Sequence, residues 1–191
     1  MKSCADYSPS MLNGAILCMP DEQPSFDERV LKALEQSDEM RRSARAKRMI
    51  DLSPHVKNYG LVVQAMDTSA IRQEAYDCYI NGHFVATLLL AVAFVEHTLT
   101  DAIIGAGEKQ PRTFEQGIKC ARTLSLFPAD LLDRTDRLRE IRNPFSHRKP
   151  ADHPHSFGNR YQARQEHPTK ILEEDAKEGL LVMLQYFDLT V

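Results

Sequence analysis

The chain has 191 residues, 42% of them hydrophobic and 27% charged, with a formal net charge of -3. That is enough apolar material for one domain with a substantial core and no disulfide staples, in the balance of an ordinary soluble globular protein. The small negative charge excludes a generally basic nucleic-acid coat. A local basic site stays open, because a field depends on where the charges sit.

Cys4, Cys18, Cys78 and Cys120 are scattered, with no C-x-x-C pair and no zinc-ligand spacing. They read as reduced thiols of a cytoplasmic protein. Near the start, the apolar patch Ala15 to Met19 is too short for a signal-peptide core. The longest apolar run, Phe84 to Val95, stops at Glu96-His97. It is shorter than the roughly 18 residues of a membrane span, so a buried core helix and no membrane contact are expected.

Residues 1–24 hold Pro9, Gly14, Pro20 and Pro24 without a clear period and read as an irregular arm. Ser25-Phe26-Asp27-Glu28 matches a capping box. The helix it starts runs to about Ile50, with Phe26, Val30, Ala33, Leu34 and Ser37 on one face. Its basic end (Arg41, Arg42, Arg45, Lys47, Arg48) is either a solvated terminus that suits the helix dipole or a contact for a nucleic-acid backbone. Residues 25–68 thus form an N-terminal helix and a connection.

A helix over about Ser69 to Asn81 buries Ile71, Ala75, Cys78 and Tyr79, and Asn81-Gly82 is a natural stop or a kink. His83 to about Ile104 carries Phe84, Leu88, Ala91, Val92, Val95, Leu99 and Ile103 in one wide stripe and belongs at the centre of a bundle. Gly105-Ala106-Gly107 lacks the lysine and hydroxyl of a phosphate-binding loop and reads as helix termination. Thr113-Phe114-Glu115-Gln116 opens a helix that buries Phe114, Ile118, Ala121 and Leu124. Residues 129–142 form the next helix, with Leu131, Leu138 and Phe145 at heptad spacing. Arg148 to Pro168 reads as a long polar connection. Thr169 caps a last helix with the stripe Leu172, Ala176, Leu180, Met183, Leu184 and Phe187. With no alternating strand pattern, the fold class is all-α, a bundle of about five or six helices.

Arg142 and His147 are the candidate chemistry. A guanidinium is a planar fork that suits phosphate, and an unperturbed imidazole titrates near neutrality. In a continuous helix five residues separate side chains by about 140° and roughly 7.5 Å. Pro144 disfavours helical geometry at Asn143, so the chain is expected to turn there and bring His147 back toward Arg142. Asn143 and Ser146 add neutral hydrogen-bonding groups at that corner. Such a corner supports transesterification of RNA: a base deprotonates the 2′-hydroxyl, which attacks the phosphorus, and a cation steadies the developing charge. RNA carries its own nucleophile, so neither a cofactor nor a metal is expected. A two-fold dimer supplies a second acid. The bland reading, an arginine paired with Glu140 or Asp152, stands beside this one.

Arg142-Asn143-Pro144-Phe145-Ser146-His147 resembles the R-x(4–6)-H signature of the HEPN superfamily. The preceding Ala75 to Phe84 segment and the apolar helix ending in Phe94-Val95-Glu96-His97-Thr98-Leu99 are also similar. The resemblance covers about residues 69–187, so residues 69–191 are taken as an HEPN-like helical domain. It implies a dimeric helical bundle whose paired motifs form a metal-independent ribonuclease site, often in toxins or in phage defence. Carried over, Arg142 and His147 are the catalytic pair and Asn143 supports them. Glu96 is a supporting partner or a plain helix-edge carboxylate.

Arg139, Ser146, Arg148 and Lys149 are the expected RNA contacts around the corner. Arg160, Arg164, Phe157 and Tyr161 in the connection read either as a lid that grips unpaired RNA or as solvated surface. His153-Pro154-His155 suggests a metal clamp only superficially. The expected partners are RNA, a second copy of the chain, and an antitoxin or other partner protein. The competing expectation is a non-catalytic helical module that binds a partner protein, nucleotide or RNA.

Overall fold

The computed structural model describes residues 24–57, 65–150 and 152–191. The irregular arm read over 1–24, bar its last residue, and the Asn58-Tyr59-Gly60 part of the connection lie outside the described residues. Among the described residues the fold is all-helical, with seven α-helices and one 3-10 turn and no strand. The helices are α1 (Phe26–Leu52), α2 (Met66–Asn81), α3 (Phe84–Gly105), α4 (Phe114–Thr123), α5 (Ala129–Ser146), α6 (Phe157–Arg164) and α7 (Pro168–Thr190).

Two compact units divide at Asp38 and Glu39. In the first, the described residues are the leading part of α1 and its cap. Ser25 N donates to Glu28 Oε2 at 2.7 Å and Glu28 N donates to Ser25 Oγ at 3.2 Å, a complete capping box. That hydrogen bond from Ser25 also holds the Glu28 carboxyl below its usual range. The expected apolar face is not buried: Phe26, Val30 and Leu34 are exposed, as is Leu31 beside them.

In the second unit α3 is central, packed against α7, α2, α4 and α5. All seven residues of its expected stripe are buried, and Phe94 beside them is fully so. By length and composition α3 is long and apolar enough to cross a membrane. Its apolar character runs past Glu96 to Gly105, farther than the run ending at Val95 suggests. A core helix passes the same test, and here the helix packs among four others.

Gly82 ends α2 in the left-handed region at φ 82°, and His83 N donates back to Cys78 O at 2.8 Å. The Asn81-Gly82 break is therefore a turn between two helices, not a kink in one. α4 starts as expected, with Gln116 N donating to Thr113 Oγ1 at 3.2 Å. The return bond differs: Gln116 Oε1 accepts from Arg112 N. On α7, Gly179 lets α3 approach closely; a Cβ there would sit 3.3 Å from Leu88 Cδ1.

Arg48, from the basic end of α1, is committed to structure. Its Nε donates to Glu173 Oε1 at 2.9 Å and its Nη1 to Ile80 O at 2.8 Å, and its guanidinium lies 5.1 Å from the Phe84 ring centre. It thus ties α1 to α2, α3 and α7 and offers nothing to a nucleic-acid backbone.

Three expectations are corrected. First, the 148–168 segment is not a plain connection. It contains α6, capped by Ser156 Oγ, which accepts from Asn159 N at 3.3 Å. Its cations face acids: Arg160 binds Asp175, and Arg164 binds Glu166 and Glu174. These pairings hold the segment down, which raises the helix count and leaves those two arginines engaged. Second, α7 is capped by His167 Nδ1, which accepts from Thr169 N, and not by Thr169. Third, α5 does not stop at Arg142 but continues through Pro144 to Ser146. A proline removes one backbone donor, and in the last turn little of the ladder remains to be lost. His147 N still donates to Asn143 O at 2.8 Å.

Candidate functional site

The C-terminal end of α5, the first turn of α4 and the middle of α3 line an open cavity of about 300 Å³. It is lined by Arg139, Arg142, Asn143 and His147, with Glu96, Thr113, Phe114 and Glu115 opposite. The expected pair, with its asparagine, therefore shares one cavity. The turn that takes His147 away from the helix path is its own: φ is -137° and ψ is 126°, extended, directly after the last helical residue. It is not a corner at Pro144.

Arg142 is mostly buried, its side chain 15% exposed. Its Nη2 donates to Glu96 Oε2 at 3.2 Å, and its Nη1 makes a long 3.5 Å contact with Asn143 Oδ1. Its guanidinium carbon lies 6.0 Å from the Phe114 ring centre, at the edge of cation–π range. The carboxylate holds one arm of the fork, and the ring lies beside it. The proposed pairing of Arg142 with Glu140 or Asp152 does not occur. Glu140 instead takes Arg139 at 3.7 Å and His155 Nε2 at 3.4 Å.

Arg139 lines the cavity with a guanidinium steadied by Asp136 Oδ1 at 2.7 Å. Thr113 and Glu115 bring the first turn of α4, the positive end of its dipole, to the same wall. The Glu115 carboxyl is held below its usual range, first by a hydrogen bond from Lys119 and then by the charges of Lys119 and Arg139. Ser146 and Arg148 are exposed and Lys149 is half-buried, and none of the three lines the cavity.

Glu96, Phe114 and Glu115 complete the site, though the last two read from sequence only as parts of a helix cap. Glu96 does leave a local sign, as the first acidic residue in the most apolar helix. The histidines of the 148–168 segment go elsewhere: His155 N donates to His153 Nδ1 at 3.2 Å, and the two ring centres lie 5.8 Å apart with the planes tilted by 57°. Among the described residues no group of three or more His, Cys, Asp or Glu side chains is placed to hold a metal ion. Cys78 and Cys120 are free thiols, and burial pushes Cys78 up, away from nucleophilic use.

Chemically, the cavity brings together two guanidinium groups, each already paired with a carboxylate (Arg142 with Glu96, Arg139 with Asp136), the Glu115 carboxylate, an imidazole and an amide. No family model, curated protein or solved structure matches the chain, so the reading of this site rests on its residues and their geometry.

Proposed function

We propose that this protein is a metal-independent endoribonuclease on an HEPN-like helical domain. The observation that carries the reading is that Arg142, Asn143 and His147 line one cavity together. His147 takes the proton of the ribose 2′-hydroxyl, and the resulting alkoxide attacks the adjacent phosphorus. Arg142, with Arg139 beside it, steadies the charge that grows on the phosphate oxygens. The 5′-oxygen leaves with a proton, which His147 of a second copy supplies when two cavities face across a two-fold axis. The products are a 2′,3′-cyclic phosphate and a free 5′-hydroxyl. In this reading the protein works in the cytoplasm as a toxin or phage-defence effector, held in check by an antitoxin.

The test is RNA cleavage in the presence of a chelator by wild type, His147→Ala and Arg142→Ala. The expected result is cleavage by wild type alone; equal cleavage by all three removes the site. Growth arrest on expression, relieved by His147→Ala, supports the toxin role. A second reading, a non-catalytic module that binds a partner protein or nucleotide, draws support from the grip of Glu96 on Arg142. An RNA titration that shows binding by a monomer without cutting favours it.

A further inference from the structure

Arg139 and Glu140 are neighbours on α5, about 100° apart around the helix axis. Arg139, its side chain 17% exposed, lines the site cavity. Glu140 and Asp136 line a different cavity, of about 560 Å³, on the α6 side of the same helix. Both carboxylates nevertheless hold the arginine. Arg139 Nε donates to Asp136 Oδ1 at 2.7 Å, and its Nη2 lies 3.7 Å from Glu140 Oε1.

The other oxygen of Glu140, Oε2, lies 3.4 Å from His155 Nε2. One carboxylate is thus shared between a guanidinium that lines the site and an imidazole that does not. The turn that carries His155 is held in place. His155 N donates to His153 Nδ1 at 3.2 Å, and His153 O accepts from Ser156 N at 2.8 Å and from Asn159 Nδ2 at 3.0 Å. Two residues on, Phe157 meets Phe145 of α5 with ring centres 6.2 Å apart.

The other charged groups facing His155 are engaged with one another. On α5, Asp133 pairs with Arg122 at 2.7 Å and Asp136 with Arg139, while Arg137 adds a cation to the wall. From α6, Arg160 pairs with Asp175 of α7, and Arg164 with Glu166 and Glu174. Glu140 is the carboxylate left to face the imidazole.

An imidazole takes a second proton close to neutrality. A charged His155 draws on the same carboxylate that screens Arg139. Less of that negative charge then opposes the guanidinium, and more of its attraction reaches a phosphate. A neutral His155 leaves Glu140 to the arginine.

We infer that His155 is a positioning residue for the site: through Glu140 it sets how strongly Arg139 holds a phosphate of bound RNA. The inference rests on the ribonuclease reading for the phosphate at Arg139, but not on cutting.

The test measures binding of a short single-stranded RNA by fluorescence anisotropy at about pH 6 and about pH 8. Full-length His147→Ala protein is the parent, so that nothing is cut and the imidazole of the site does not titrate. The expected result is about threefold tighter binding at the lower pH. His155→Gln loses that gain and binds at both pH values as the parent does at the higher one. Glu140→Gln removes the shared carboxylate and binds tightly at both. A merely structural role would shift the two variants in the same direction. Both side chains are about 40% exposed, so the variants keep the fold, and circular dichroism checks that. A gain that survives His155→Gln, or weak binding by Glu140→Gln at both pH values, overturns the inference. Cleavage by wild type with a chelator present keeps the two claims apart. Cutting without the His155-dependent gain removes this inference alone. The gain in a protein that does not cut keeps it and removes the nuclease, and no RNA binding at all overturns both.

Discussion

Arg142 on α5 is held by Glu96 on α3, with Nη2 donating to Oε2 at 3.2 Å across 46 positions of sequence. The guanidinium that would receive a phosphate is therefore already neutralised by a carboxylate in the free protein. A partly exposed pair of this kind is worth about 0.2–1 kcal/mol, small enough for an entering dianion or diester to displace. Glu96→Gln keeps the shape and removes the competing charge. Tighter RNA binding by roughly two- to fivefold is expected in the His147→Ala background, read by anisotropy. Unchanged or weaker binding would mean that Glu96 does not compete with the substrate.

Asp175 gives a pH prediction. It is buried on α7, faces Arg160 and Arg164 of α6, and has Glu174 beside it. Burial raises its carboxyl above the ordinary 3.8 and outweighs the lowering by Arg160. The folded state therefore holds this proton more tightly than the unfolded chain does. The resulting stability is present in full below 3.8 and is lost as pH rises through the higher folded value. Urea titrations of wild type and Asp175→Asn should show the wild-type advantage shrinking as pH climbs through that window. An advantage that grows with pH would show that the Arg160 pair, not burial, dominates.

Tyr186 and Thr135 give a prediction about the core. Thr135 Oγ1 donates to Leu131 O at 2.8 Å, which leaves it to accept from the Tyr186 hydroxyl at 3.0 Å. Both side chains are buried. Thr135→Val strands the Tyr186 donor and should cost about 1–3 kcal/mol in chemical denaturation, whereas Thr135→Ser restores the bond. Burial also pushes the Tyr186 phenol up to about 12. Its contribution holds below the ordinary 10.0 and is lost as pH rises from there through about 12, so Tyr186→Phe should resist alkaline unfolding better than wild type.

Local patterns in the chain are enough to specify most helices and their ends. The Ser25/Glu28 and Thr113/Gln116 caps, the Gly82 stop and the α3 stripe depend on residues within a turn or two of each other, and their spacing records them. The stripe on the leading part of α1 shows the limit of that logic. Amphipathic spacing says which side of a helix is apolar, not whether anything covers it, and Phe26, Leu31 and Leu34 are exposed.

What the amino-acid sequence determined by itself was the helical architecture and the presence of an arginine and a histidine five residues apart at the end of α5. Only the tertiary structure decided that Glu96 clamps the arginine, that the first turn of α4 forms the facing wall, and that the 148–168 segment folds down as α6 through Arg160 and Asp175. These pairings join side chains 15 or more positions apart, and no periodicity encodes which cation meets which acid. Pro144 shows the same division. Its ring forbids one hydrogen bond, but whether a helix ends there depends on what the rest of the fold packs against the final turn.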